Sequence, residues 1–358
     1  MAPWLARSWR KRGIVACLLW PLSLAYGVLS GFHCWLYRAR VLKIERSAVP
    51  IVVVGNVVAG GAGKTPLVIA LAMHLQQQGI KVGIVSRGYG RKGRQGKKGY
   101  NCLEVLENTP VLVSGDEPAL IIRAQEAPVF IAKKRLDAIR GLLARHPKTQ
   151  VIISDDGLQH HSMARDIEIT VFDDRGVGNG WLLPAGPLRQ PYAADPSQSG
   201  LVLHTGQAPA FKGFVSARQL ADYALNADGH QVMLDTLKGR ALTALAGIAN
   251  PDAFFDMLKA RGLQLQQTIA LPDHFDFFGY SWPVSPNSIV LCTEKDAVKL
   301  FKSLQYKGCN VLAVPLEFSP EPAFFAAFDI LLSPLLIGTI EAAELPPPQG
   351  IQNGHQTA

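Results

Sequence analysis

The segment Gly55-Asn-Val-Val-Ala-Gly-Gly-Ala-Gly63-Lys64-Thr65-Pro66 constrains this chain more than any other. It follows a short β-branched run, Ile51–Val54, and precedes an apolar stretch, Pro66–Gln78, that reads as a helix. A glycine-rich turn from strand into helix points backbone N–H groups and the positive end of the helix dipole at phosphate oxygens. Val58, Ala59, Gly60, Gly61, Ala62, Gly63, Lys64 and Thr65 therefore form a candidate nucleotide cradle. Lys64 is placed to reach β- and γ-phosphates, and the Thr65 hydroxyl to ligate Mg2+, so ATP with Mg2+ is the implied ligand. Pro66 fits the first helical turn, where a missing N–H costs nothing. Val58 stands where the common pattern has glycine, so this loop must bend somewhat differently. A glycine-rich turn that contains Gly-Lys-Thr by chance is the bland reading, and the strand, helix and proline around it weigh against that.

Strands are expected at Lys81–Ser86, Val129–Ala132, Val151–Ser154 and Ile169–Phe172, with a helix at Arg135–Arg145. This alternation predicts an α/β fold with a P-loop and a doubly wound, mostly parallel sheet. A second, smaller α/β domain is expected from about residue 206, with strands Ala241–Leu245, Ser288–Cys292 and Val311–Val314 and helix Pro251–Arg261. The expected division is a membrane-associated N-terminal helical segment (1–46), a P-loop core (47–205), the second α/β domain (206–344) and a disordered tail (345–358).

Asp155 and Asp156 end the hydrophobic run Val151–Ser154, where a P-loop fold carries a metal-binding carboxylate. Adjacent like charges repel, so a nearby cation is required. Which of the two touches the metal stays open. Asp116, in Ser114-Gly115-Asp116-Glu117-Pro118, reads from spacing as a helix-capping turn, although a kinase also wants a carboxylate to take the hydroxyl proton. His274, in Asp273-His274-Phe275-Asp276-Phe277, reads as structural unless the domains close over ATP. His160 and His161, which follow the Asp pair, read either as supporting the groups around the site or as merely local, and the basic run Arg91–Lys98 as solvated, with contact to lipid headgroups or phosphates the alternative.

The net charge of +8 belongs to one end of the chain. Residues 1–46 hold eight Lys/Arg and one Glu, leaving 28 basic and 27 acidic residues in the rest. A nearly neutral body removes the electrostatic case for nucleic acid. Five scattered cysteines form no metal-ligand or disulfide pattern. Gly13–Tyr37 is a run of 25 residues without Asp, Glu, Lys or Arg, flanked on both sides by basic residues. A cleaved signal peptide would export the nucleotide site. A single span is long enough, but with a cytoplasmic body it places four basic residues outside. A monotopic or re-entrant segment keeps both basic flanks on an anionic cytoplasmic surface and is preferred.

The ordered set of these segments resembles the tetraacyldisaccharide 4'-kinases of lipid A biosynthesis. The resemblance spans nearly the whole chain. It rests on the membrane segment, the GNVVAGGAGKTP loop, SRGYGRK (Ser86–Lys92), SGDEP, SDDGLQH (Ser154–His160), GNGWLLPAGPLR (Gly178–Arg189), GIANP (Gly247–Pro251), DHFDF and TEKDAVK (Thr293–Lys299). It implies transfer of the ATP γ-phosphate to the 4'-hydroxyl of tetraacyldisaccharide 1-phosphate, giving lipid IVA, with ATP in a cleft between two α/β domains. Asp116 takes the place of the family's proposed base and His274 that of its dyad partner. Lys64 and Thr65 match the nucleotide and Mg2+ groups, Asp155 and Asp156 the acidic pair near the metal, and Arg189 a nucleotide-site arginine. Gln190 stands where the family has Glu, and an amide supplies no such charge. The resemblance also implies a membrane-embedded glycolipid substrate, the inner-membrane surface with catalytic domains facing the cytoplasm, and no obligatory protein partner. The rival readings are a membrane-tethered P-loop ATPase that switches a protein partner, a kinase of a soluble sugar or nucleotide, and a membrane scaffold. The apolar N-terminal run speaks against the soluble kinase, and the Lys64, Thr65 and Asp155 arrangement against the scaffold.

Overall fold

A computed structural model describes residues 8–88, 102–192, 200–206, 208–209, 211–273, 275–277, 288–301 and 309–344, with 338–344 as backbone alone. The run Arg91–Lys98, His274 and the tail 345–358 lie outside the described residues.

Hydrophobic, β-branched segments form the centre of a nine-stranded sheet. Strand β1 (Ile51–Gly55) lies between β5 (Val151–Asp155) and β6 (Ile167–Phe172), parallel to both. Beyond β5 come β2 (Val82–Ser86), β4 (Val129–Ala132) and an antiparallel edge, β3 (Cys102–Val105). Beyond β6 come β7 (Leu201–His204), β8 (Phe214–Leu220) and the other antiparallel edge, β15 (Leu316–Pro320). The central strands are buried on both faces, as parallel strands covered by helices must be.

Side-chain alternation assigns those faces. Val52, Val54 and Ile153 pack with Leu67 and Leu71 of α2 (Lys64–Gln77) and Phe324 and Phe328 of α8 (Pro322–Glu344). Ile51, Val53 and Ile152 pack with Ile139 and Leu142 of α5 (Arg135–Arg145). Two shorter helices, α3 (Val111–Ser114) and α4 (Asp116–Ala124), lie between β3 and β4 in the chain.

A second, six-stranded sheet has the order β10-β9-β14-β13-β11-β12. Its strands are β9 (Tyr223–Leu225), β10 (Gln231–Met233), β11 (Leu242–Ala246), β12 (Leu265–Ala270), β13 (Ile289–Thr293) and β14 (Asn310–Val314). Helices α6 (Pro251–Ala260) and α7 (Glu294–Leu300) complete this half. The chain leaves the first sheet after Leu220 and returns to it at Leu316. The two crossings run side by side, with Ala221 N–H donating to Pro315 O at 3.0 Å. Strands β8 and β15 and helix α8 therefore complete the first sheet and its core, although all three come from the stretch read in sequence as the second unit.

The N-terminal helix α1 (Ile14–Arg38) is unbroken through Pro21. One stripe meets the body, and Ile14, Leu18, Val28 and Leu29 are at least 70% exposed. Contact with the body begins before the helix and continues along it. Trp9 Nε1 donates to Pro184 O (2.8 Å), Arg12 Nε to Asn179 O (3.1 Å) and Ser23 Oγ to Leu182 O (2.8 Å). Tyr26 OH donates to Arg189 O (2.7 Å), and the His33 and Tyr37 rings lie about 6 Å from that of His161. Gly27 permits the close approach, since a Cβ there would sit 3.0 Å from Leu182 Cδ1.

Candidate active site

The P-loop lies at the carboxyl end of β1, beside β5 and β6, where open α/β sheets bind ligands. Val58 pairs in an isolated antiparallel bridge with Leu188 and is 3% exposed. Ala59 N–H donates to Pro187 O (2.8 Å), and Arg189 N–H to Val57 O (2.7 Å). The first part of the loop is thus held extended against the 182–189 segment, and extended backbone suits a β-branched valine better than glycine. That is the physical reason for the departure at Val58. The sharp bends fall later, at Gly60 (φ +107°) and Gly63 (φ +82°). Arg175 Nη2 donates to Gly61 O (2.8 Å) and Thr205 Oγ1 to Ala62 O (3.0 Å), and together they fix the bend from the far side. Thr65 is half-buried in the first turn of α2.

The sequence-predicted groups converge here. Lys64 Nζ donates to Asn56 Oδ1 (3.1 Å) and lies 3.5 Å from Asp156 Oδ1. Arg189 Nη1 donates to both oxygens of Asp156 (3.2 and 3.3 Å) and lies 3.5 Å from Gln159 Oε1. Burial opposes ionisation of Asp156, but Lys64, Arg189 and Arg135 outweigh it and hold the carboxyl below its usual range. Asp155 is its opposite. Burial, then repulsion by Glu117 and Asp156, push its carboxyl up to about 7 against the pull of Lys64 and Arg135. Its Oδ1 is buried without a hydrogen-bond partner, while Oδ2 accepts weakly from Ser86 Oγ (3.4 Å).

An orphaned carboxylate oxygen beside a second carboxylate and a P-loop threonine fits Mg2+, which takes one or two carboxylates and fills its other positions with phosphate oxygens and water. Among the described residues no group of three or more His, Cys, Asp or Glu could hold a metal ion. As a ligand, Asp155 would have to give up its proton. Mg2+ affinity in the presence of ADP is therefore expected to fall about tenfold per pH unit below neutrality. Calorimetric titration across that range checks this, with Asp155→Asn losing the dependence. A wild type matching Asp155→Asn at every pH would remove Asp155 from the ligand set.

Sequence reasoning missed several groups. Arg135 is 3% exposed, with Nη2 donating to Asp155 O (2.5 Å) and Asp156 O (3.1 Å) and with Nε and Nη1 unpartnered. It borders a cavity of about 290 Å³ together with Arg87, Arg189, Asp156, Gln159, His160, Leu183 and Tyr26 of α1. Burial, then Arg135 and Arg87, lower the His160 pKa to about 4, so its imidazole is neutral at neutral pH. His160 thus lines the cavity beside Asp156, the supporting position that is one of its two sequence readings. Gln190 Oε1 accepts from Gln159 Nε2 (3.3 Å), so the amide joins the same polar network without adding charge.

Asp116 begins α4 and is 9% exposed. Its Oδ2 accepts from Lys299 Nζ of α7 at 2.9 Å, a contact that crosses from the second sheet to the first. Phe275 neighbours it, because the same Nζ donates to Phe275 O at 2.9 Å. Arg87 and Lys299 lie in the SRGYGRK and TEKDAVK segments, where the sequence assigns them no role, and Arg135 carries no local pattern that marks it. The role of each becomes visible only when distant segments meet.

A family model for tetraacyldisaccharide-1-P 4'-kinase (LpxK) matches residues 15–333. The chain is 59% identical over 347 residues to the tetraacyldisaccharide 4'-kinase of a Polaromonas species, covering 97% of this chain and 99% of that one. It is 57% identical to its counterpart in Polaromonas naphthalenivorans, covering 99% and 98%. The counterpart in Acidovorax ebreus is 49% identical, with 94% and 96% covered. Among solved structures, LpxK from Aquifex aeolicus, crystallised in complex with ATP, superposes with a TM-score of 0.74 at 29% identity, over 90% of this chain and all of that one. Sequence match along the chain, shared architecture and a P-loop site backed by paired carboxylates lead to one assignment: the chain belongs to the tetraacyldisaccharide-1-P 4'-kinase family.

Proposed function

We propose that the chain performs its family's reaction through the residues gathered at the carboxyl edge of the first sheet, with Asp116 as the base. The protein is a kinase of lipid A biosynthesis that phosphorylates a lipid A precursor. The loop amides from Gly60 to Thr65 and the Lys64 ammonium cradle the β- and γ-phosphates of ATP. Asp116 accepts the proton of the 4'-hydroxyl as its oxygen bonds to the γ-phosphorus and the bond to the β-phosphate bridge breaks, releasing ADP. Thr65, Asp155 and Asp156 would hold Mg2+, and Arg189 fixes Asp156. When bound, Mg2+ neutralises charge on the transferring phosphoryl group.

The cavity under α1 supports an anionic glycolipid acceptor. It carries three arginines against one carboxylate. Buried guanidinium groups of this kind favour phosphate recognition. The docking of α1 supports an in-plane attachment. A helix of 25 residues is about 37 Å long, against a hydrocarbon core of about 30 Å. With the body bound from Trp9 to Tyr37, a spanning α1 would drag polar loops into lipid. Lying in the interface, its exposed apolar stripe enters lipid and both basic flanks stay at the surface, with the ATP site toward the cytoplasm.

The observation that carries the reading is the joint placement of Lys64, Asp155 and Asp156 beside the arginine-lined cavity. The test uses the full chain in detergent micelles with γ-labelled ATP, Mg2+ and tetraacyldisaccharide 1-phosphate. Label is expected in the lipid fraction. Label released only as inorganic phosphate would turn the reading toward a nucleotide-driven switch of a protein partner.

A further inference from the structure

Helix α7 carries two lysines four residues apart, Lys295 and Lys299, on one face. Lys295 Nζ donates to Asp273 Oδ1 and Lys299 Nζ to Phe275 O, both at 2.9 Å, so the pair grips the backbone and side chain on either side of position 274. The same Lys299 ammonium donates to Asp116 Oδ2 at 2.9 Å and lies 5.5 Å from the centre of the Phe277 ring. Its side chain is 14% exposed and that of Asp116 12%. The helices that bear the two residues pack directly, with Val298 of α7 against Ala119 of α4 and Val111. A half-wet surface pair contributes little, but a charge pair this sheltered fixes the geometry of both partners.

We infer that Lys299 is a positioning residue for the phosphoryl transfer: from the second sheet it aims the Asp116 carboxylate and ties it to the 273–277 stretch. This rests on the reading of Asp116 as the base. Lys299 acts on the transfer through Asp116. A second consequence follows from its location. The Lys299 contact with the carboxylate forms only while the two sheets are together, which couples their approach to the aim of the base.

The test compares Lys299→Met, Lys299→Arg, Asp116→Asn and the double variant Lys299→Met/Asp116→Asn, by label transfer to lipid and by ATP affinity. Lys299→Met keeps an apolar stem of similar length and removes the charge. Its kcat is expected to fall by about 10- to 100-fold, with ATP affinity within about twofold and Lys299→Arg recovering most of the loss. In the double variant the loss should equal that of Asp116→Asn alone, because a residue that acts through Asp116 has nothing left to aim. A purely structural lysine would instead weaken ATP binding, or its loss would multiply with that of Asp116→Asn. Either of those results, or a Lys299→Met kcat within about threefold of the wild type, overturns the inference. If Lys299→Met does not fold, Lys299→Gln takes its place in the same comparison. Full activity in Asp116→Asn would be a different failure, that of the base assignment itself.

Discussion

Replacing Asp116 by alanine is expected to lower kcat by about 10²- to 10⁴-fold, the range a positioned general base contributes. ATP affinity should survive. Asp116 sits at the start of α4 and faces Lys299, whereas the P-loop contacts of Lys64, Arg175 and Thr205 come from other elements. The loss should therefore appear in turnover and not in nucleotide binding. Single-turnover label transfer, paired with equilibrium binding of ATP, separates the two. Strongly weakened ATP binding in the variant would refute the role, because it would show that Asp116 shapes the nucleotide pocket.

Lys64→Ala is expected to damage both steps. Its ammonium lies 3.5 Å from Asp156 and is one of the cations that keep that carboxyl ionised. Removing it takes away a phosphate ligand and leaves the Asp155–Asp156 pair with less compensating charge, so Mg2+ and ATP both bind worse. Loss of a charge-stabilising donor of this kind typically costs about 10²- to 10³-fold in rate, and the ATP KM should rise as well. Steady-state kinetics over a wide ATP range check this, and unchanged kinetics would sink the P-loop assignment. The contrast between the variants is itself informative: Asp116→Ala should spare binding, while Lys64→Ala should not.

The centre of the first sheet was legible because its strands are short runs of buried β-branched residues. Val129–Ala132 and helix Arg135–Arg145 fall where the pattern put them, and β5 gains only Asp155. The edges were not legible. Strand β8 buries only Ser216 and Leu220 and exposes Ala217, Arg218 and Gln219 in succession, so it shows no alternation, and β15 pairs with it from about a hundred residues further on. Helix α8 carries apolar residues on most faces and an internal proline, which hides a period of 3.6. Site residues divide in the same way. Lys64, Thr65, Asp155 and Asp156 are marked by their position after a strand, a purely local signal. Arg135 lies in an ordinary amphipathic helix, and Tyr26 in an apolar one. Their roles arise from contacts across 20 and 163 residues, which no local pattern carries.

The paired crossings between the sheets set the mechanics of the cleft. One polypeptide link would let the second sheet swivel in any direction. Two links that lie side by side, bonded to each other at Ala221 and Pro315, resist twisting and sliding and yield mainly to bending across the ribbon. The second sheet is thus mounted as a door on a strap hinge, with the Lys299–Asp116 contact as its catch. A relative movement of the sheets would bend mainly across this ribbon, and a distance between one label on α7 and one on α4 would follow it.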